Sequence, residues 1–292
     1  MLNKQTKSEK IVDKLNMLIL ALIALTMLFP FYYMFAVSFA TYEEFVQSDL
    51  LLFPEKWVLD AYSYILGSKE FVRSLGVSIY ITVVGTFVSL LLTAMMGYAL
   101  SRKILGQKIY LFLVLFTFVF GAGMIPTYMV VQATGLMDSL WALIIPTAIS
   151  SFNLIVMRQF FVNLPEDLTE AAIIDGANDL QIFARIILPL SKPALAAFGL
   201  FYAVGIWNSY FTALLYLSDP AKWTVQVVLR QLVILNQGNM LDIRAQMGMD
   251  NPPPAETIGM AAILIATVPI LIVYPFLQKH FAKGVMLGSV KE

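Results

Sequence analysis

The sequence predicts an all-α integral membrane protein of six transmembrane helices. Three observations carry that prediction: an apolar composition, six long stretches almost free of charge, and a lopsided distribution of basic residues. Of 292 residues, 59% are hydrophobic and 13% charged, against roughly 45–50% and about 25% in soluble domains. A soluble chain of this length would lack the polar residues to cover its surface, and the mean hydropathy of +0.78 points the same way. Nineteen basic residues balance nineteen acidic ones, so no global field draws nucleic acid to the chain. There is no cysteine and one histidine, His280, which removes disulfide scaffolds, thiolate metal sites and multi-histidine metal centres.

A hydrocarbon core of ~30 Å takes about 20 apolar residues per helix. Stretches that meet this fall at 15–39, 75–100, 110–131, 140–157, 194–217 and 257–277. The first follows Lys4, Lys7, Lys10 and Lys14. It runs well beyond the ~7–15 residues of a secretory signal core, which predicts a retained helix. Gly121, Gly123 and Pro126 interrupt the third stretch, Pro146 the fourth, and Pro269 and Pro275 the sixth. Backbone groups freed at such breaks need neighbouring helices or cavity water in lipid, so kinked helices around a pathway are expected.

Six spans put both termini on one side, and the basic residues say which. With the N-terminus inside, 13 of the 19 Lys and Arg residues fall in cytoplasmic segments, which favours N-in, C-in at the cell membrane by the positive-inside rule. The expected organisation is a cytoplasmic N-terminal segment at 1–14, a six-helix domain at 15–277 and a cytoplasmic tail at 278–292. Two outer loops are long, at about 41–73 and 218–256, and one inner segment is long, at about 158–193.

Almost no ionisable side chain lies inside the stretches. Ion-coupled carriers usually hold carboxylates, His or Lys at mid-membrane depth, so a secondary, ion-coupled carrier is the weaker alternative; a sodium site of carbonyls and hydroxyls keeps it open. An intramembrane enzyme lacks its nucleophile and base. His280, between Lys279 and Lys283, is read as a solvated surface residue. No GxxxxGK[ST] string occurs, so power for transport would come from another subunit.

The inner segment has its own local chemistry. Asn163 is a candidate N-cap, Pro165 suits a first turn, and Glu166 and Asp167 complement a helix N-terminus. Asp175-Gly176 should break this helix, Asn178 or Asp179 should cap a second, and Pro189 should end it. On the first helix, spacings of three and four place Leu168, Ala171, Ala172 and Asp175 on one shallow face, edged by Asp167 and Glu170. Residues 163–180 hold five acids and no Lys or Arg. Interfacial membrane helices carry the opposite charge, so a protein partner is expected.

Glu170-Ala171-Ala172, Gly176 and Ile186-x-Leu188-Pro189, at the spacing found here, match the EAA signature of permease subunits of binding-protein-dependent ABC importers. The stretch from Pro126 to Leu214, with Gly135-Leu136, Ala142-Leu143-Ile144-Ile145-Pro146, Ile174-Asp175-Gly176-Ala177 and Trp207-Asn208, resembles the carbohydrate-uptake branch, MalG-like. The tail Lys283–Lys291 resembles the oligosaccharide and polysaccharide permeases of the LplC/YtcP type, with Glu292 departing from the expected glycine.

That resemblance implies a type I ABC importer permease fold with a cytoplasmic EAA coupling helix. It implies a second homologous permease, two ABC ATPase subunits, an extracellular solute-binding protein that the 218–256 loop contacts, and a carbohydrate substrate. It also implies no catalysis and no cofactor in this chain, ATP and Mg being held by the ATPase subunits. Glu170, Ala171, Ala172, Asp175, Gly176, Ile186, Leu188 and Pro189 are then the residues expected to dock the ATPase. For the substrate path, sugars ask for aromatic platforms beside amides or hydroxyls, which Trp207, Asn208 and Tyr210 supply as residue types.

Overall fold

In the computed structural model, residues 7–235 and 253–289 are described, and every regular element among them is helical. Expectations for residues 1–6, for the middle of the 218–256 loop, for the side chains of the 278–292 tail, His280 included, and for Glu292 lie outside the described residues. Among the described residues three helices carry a stretch long and apolar enough to cross a membrane: α1 (Lys7–Ser38), α4 (Lys69–Ser101) and the last helix, α15 (Ala255–Ser289), through Ala255–Val273. Shorter helices lie between them: α2 (Tyr42–Gln47), α3 (Asp60–Gly67), α5 (Gln107–Val119), α6 (Met124–Ala133), α7 (Trp141–Ile144), α8 (Ser151–Val162), α9 (Glu166–Ile174), α10 (Asp179–Ile182), α11 (Leu188–Leu190), α12 (Lys192–Trp207), α13 (Phe211–Tyr216) and α14 (Val225–Arg230).

The chain divides into two compact units, one drawn from residues up to Lys69 with Leu229–Ala266, the other from Glu70–Val228 with the residues from Thr267 onward. In the first, Ala36, Val37, Ala40 and Leu51 form a small core with Tyr33, Phe45 and Met260. The first long loop is folded here. Thr41 caps α2 through a reciprocal box with Glu44, whose carboxylate also accepts from the Lys56 N–H at 2.8 Å. Phe39 packs against Trp57 and Tyr62 in tilted geometry, with ring centroids 5.4 and 4.8 Å away. Most of α1 keeps its apolar side chains exposed within the chain, Leu18 to Phe31 included, a surface suited to lipid or another subunit.

In the second unit, α4 is the central helix. Gly85, Ser89, Thr93 and Gly97 recur every four residues and are all buried, which lets neighbouring helices approach closely. A Cβ on Gly85 would lie 2.8 Å from the Ile206 side chain and 3.3 Å from Ile144, and one on Gly97 would lie 3.3 Å from Phe161. The buried Ser78 hydroxyl accepts from the Val225 N–H at 2.8 Å and fixes the start of α14.

The helix breakers act unequally. Gly121 and Gly123 separate α5 from α6, with Gly123 at φ 81°, and the two arms bend by 119°. Neither arm alone reaches ~30 Å at ~1.5 Å per residue. Around Pro146 the chain tightens to a 3₁₀ turn, and the arms on either side bend by 54°. Pro269 and Pro275, expected to interrupt the last span, sit inside an unbroken 35-residue helix. Each proline removes one donor, while the flanking helical bonds of a long apolar segment hold it continuous. The fifth stretch breaks where no proline announces it: α12 ends at Trp207 and α13 begins at Phe211.

The turn between α6 and α7 is locked to the chain after α13. Asp138, at φ 55°, donates its N–H to the Tyr216 carbonyl at 2.8 Å. Its carboxylate accepts from the Ser218 and Asp219 N–H groups at 3.1 and 3.0 Å and pairs with Lys222 at 2.8 Å. The Lys222 hydrogen bond, then the backbone N–H donors, hold the Asp138 carboxyl below its ordinary range, and the same pairing raises Lys222. A carboxyl lowered in the folded state stabilises above its unfolded pKa of about 3.9 and loses that contribution as pH falls through the lowered value. The Ser218 and Asp219 amides should therefore lose hydrogen-exchange protection only below about pH 4. In Asp138→Asn, which tolerates the positive φ, protection should be reduced already at pH 7 and flat across the acid range.

Candidate functional site

Two features stand out, an exposed hairpin and a cleft between two broken helices. The hairpin is α9 and α10. Asn163 was expected to cap it but instead closes α8, its N–H donating to Gln159 and Phe160 carbonyls, and α9 starts after Pro165 with no side-chain cap. The reason is local: Pro165 fixes the first turn by itself and has no N–H to satisfy. At the other end the Gly176 N–H donates to the Ile173 carbonyl and the Ala177 N–H to the Ala172 carbonyl, with Gly176 at φ 83°. This is a Schellman closure, which needs a residue that accepts the left-handed conformation. Asn178 then caps α10 in a reciprocal box with Gln181, at 2.9 and 3.0 Å.

The hairpin has an inner and an outer side. Ala172, Ile182, Phe183 and Ile187 pack into a core with Ala94 and Tyr98 of α4, Met157 and Phe161 of α8 and Phe198 of α12. Arg102, 5.7 Å above the Tyr98 ring, donates to the Thr169 hydroxyl at 3.3 Å. The hairpin is thus seated on three helices at once. Of the expected docking residues, Glu170, Ala171, Asp175, Gly176 and Pro189 are exposed, whereas Ala172 is buried in this core and Ile186 and Leu188 are half-buried against it. Ala172 therefore leaves the shallow outer face, because α9 turns it inward with Thr169. Pro189 lies in the last turn of the second helix, which ends at Leu190, and the arm from Lys192 bends away by 82°. A π-turn at Phe183–Ile187 widens the spiral ahead of the proline ring, and the chain continues through α11 to Ser191.

On the outer side Leu168, Ile173 and Ile174 are exposed, Ile174 by 85%. They lie among Glu166, Asp167, Glu170 and Asp175, none of which has an ion-pair partner among the described residues, while Asp179 lines a hollow against α4 with Tyr98 and Arg102. An apolar patch ringed by unpaired carboxylates is matched by a basic, partly apolar groove.

The cleft, about 450 Å³, lies where the fourth and fifth stretches break, within the roughly 300–1,000 Å³ of small-molecule sites. Thr147, Ser150 and Asn153 line it from one break, and Asn208, Ser209 and Tyr210 from the other. Asn208 donates its amide to the Val204 carbonyl at 2.9 Å and keeps its oxygen to accept. Trp207 departs from its expected companions. It is 4% exposed and lines a separate apolar hollow with Thr82, Leu200 and Ile270, because neighbours on a helix point about 100° apart. The sequence argument missed Thr147, Ser150, Asn153 and Tyr202. Their signal is a polar run, Ser150-Ser151-Phe152-Asn153, inside an apolar stretch just after Pro146.

Tyr202 holds the cleft wall. Its hydroxyl accepts from the Ser150 N–H at 3.1 Å and pairs with the Thr93 hydroxyl at 2.7 Å, tying α12 to α8 and α4. Tyr202→Phe leaves a buried N–H without its acceptor, which costs about 1–3 kcal/mol. A lower melting temperature of the detergent-solubilised chain, with unchanged helical content, is the expected readout. No group of three His, Asp or Glu residues that could hold a metal occurs among the described residues.

Residues 81–287 match the family described as binding-protein-dependent transport system inner membrane component. The chain belongs to that family. It is 52% identical to the polygalacturonan/rhamnogalacturonan transport system permease protein YtcP of Bacillus subtilis (strain 168), over 97% of this chain and 99% of that one. It is 51% identical to protein LplC of the same organism, over 98% and 97%. Its fold superposes with a TM-score of 0.90, at 35% identity over 95% of this chain and 99% of the other, on a chain of a bacterial ABC transporter involved in the import of the acidic polysaccharide alginate. As a binding-protein-dependent permease, it is not the ion-coupled carrier that the sequence left as the alternative.

Proposed function

We propose that this permease is one of two homologous membrane subunits of an ATP-driven importer, and that it passes an oligosaccharide from an extracellular solute-binding protein across the plasma membrane. The observation that carries the proposal is the hairpin: an exposed, acidic, apolar-tipped bend seated on α4, α8 and α12. A rigid element attached to three helices transmits a rigid-body motion to all of them. The hairpin is then the coupling helix, gripped by an ATPase subunit that binds ATP and Mg, with no cofactor held by this chain. Glu170 offers charge to a basic groove, Ala171 and Gly176 allow close approach, Asp175 and Pro189 shape the outer edge, and Ala172, Ile186 and Leu188 seat the hairpin from within.

Six crossings follow when each bent pair is counted once: α1, α4, α5 with α6, α7 with α8, α12 with the Asp179–Leu190 arm that leads into it, and α15. Both termini and the hairpin are cytoplasmic, and the 218–256 loop faces the binding protein. The substrate is an acidic oligosaccharide, a class supported by the relatives named for polygalacturonan and alginate. Asn208 and Tyr210 contact it in the cleft, and Trp207 supports them from behind. The assembly of both permeases and two ATPases should, in proteoliposomes, take up oligogalacturonate only with ATP and loaded binding protein. Uptake driven by an ion gradient without nucleotide contradicts the proposal.

A further inference from the structure

We infer that the cleft receives a carboxylate of the substrate at the N-terminus of α8, with Asn153 as the side chain that specifies it. The inference rests on the acidic oligosaccharide assigned above. Among the described residues no Lys, Arg or His lines the cleft, so an anion entering it meets no cationic side chain from them. What it meets is the start of a 12-residue helix. The N–H groups of Ser151 and Phe152 have no acceptor among the described residues, and the aligned peptides of such a helix place about half a positive charge there. Half-helix N-termini at breaks inside a membrane bundle suit anionic substrate groups.

Asn153 is the second, independent observation. It is 7% exposed and lines the cleft, yet its side-chain amide makes no hydrogen bond to the described residues, only its backbone N–H donating, to the Ser150 hydroxyl at 3.5 Å. This amide, open to the cleft, and the Ser150 hydroxyl supply donors beside the helix N-terminus. Across the cleft the Asn208 oxygen is an acceptor, one of its two amide N–H donors being engaged by the Val204 carbonyl. A uronate therefore binds in one sense, carboxylate toward α8 and hydroxyls toward α12. The full positive charge of an arginine would hold an anion too tightly to release; a partial charge and one amide hold it loosely enough to pass.

The test is Asn153→Asp in the full assembly, with Asn153→Ser beside it. An acid in the first turn favours the helix itself, so α8 forms, while a carboxylate now faces the substrate's carboxylate. The readout is the uptake ratio of a galacturonate trisaccharide to its fully methyl-esterified form, with one binding protein throughout so that its own preference cancels. The expected result is a ratio lowered tenfold or more in Asn153→Asp and lowered by a smaller factor, about threefold, in Asn153→Ser, which loses the amide but keeps the backbone donors. An unchanged ratio in Asn153→Asp, or equal loss of both sugars, overturns the inference and leaves the importer assignment standing. Failure of the unmodified assembly to take up either sugar overturns the substrate assignment instead.

Discussion

Gly176→Val yields a chain that inserts and folds but supports less than a tenth of normal uptake. The residue sits at φ 83°, where a side chain costs about 1–2 kcal/mol and a β-branched one more. Relief of that strain opens the Schellman closure and re-aims α9. The damage stays local, since a Cβ at this position meets nothing within 4 Å. Asn accepts the left-handed conformation best among the other residues, so Gly176→Asn should recover much of the uptake. Glu170→Lys should reach the same loss by charge alone, because an exposed substitution away from caps and core changes stability by only about 0.5 kcal/mol, yet it reverses the sign offered to the ATPase groove. Uptake and ATPase co-purification check both variants, and normal values in both contradict the coupling role.

Gly205→Trp blocks the pathway from the opposite direction, with uptake falling at least tenfold while the ATPase subunits stay bound. Gly205 lies on α12 and lines the cleft, and a Cβ there meets no atom within 4 Å. A large side chain therefore enters open space where the substrate would go. The helix tolerates the change, since replacing a helical glycine relieves roughly 0.5–1 kcal/mol. Gly205→Ala is the matched variant, with the helical gain and little volume, and should keep most of the uptake. Equal uptake in Gly205→Trp and wild type places the substrate elsewhere. Gly85→Ala is the instructive contrast, because its Cβ would press on Ile206 at 2.8 Å and so tests packing, not passage.

What the sequence made legible was chemistry written in adjacent residues. Gly176 announced its turn, Asn178, offered beside Asp179, its cap, and Gly121 with Gly123 their break, because each acts through its own backbone or the next turn. The orientation of side chains about a helix was harder. Leu168, Ala171, Ala172 and Asp175 share a face by spacing, yet Ala172 turns inward, since α8 and α4 decide which side of α9 is covered. Trp207 and Asn208 stand side by side and serve opposite surfaces for the same reason. The break after Trp207 carries no glycine or proline of its own. It follows from tertiary contacts, among them the Thr224 hydroxyl donating to the Ser209 carbonyl at 3.2 Å. Pro269 misled in the other direction, since a long apolar helix absorbs one missing donor.

The chain contains no cysteine, so a single introduced thiol reports one position without background. Ile174, exposed at the tip of the hairpin, is the position to use. Ile174→Cys in the intact assembly should react with a membrane-impermeant maleimide only from the cytoplasmic side and cross-link to the nucleotide-hydrolysing subunit, with a yield that changes when ATP binds. Reaction from the outside, or a cross-link to any protein other than that subunit, contradicts the account.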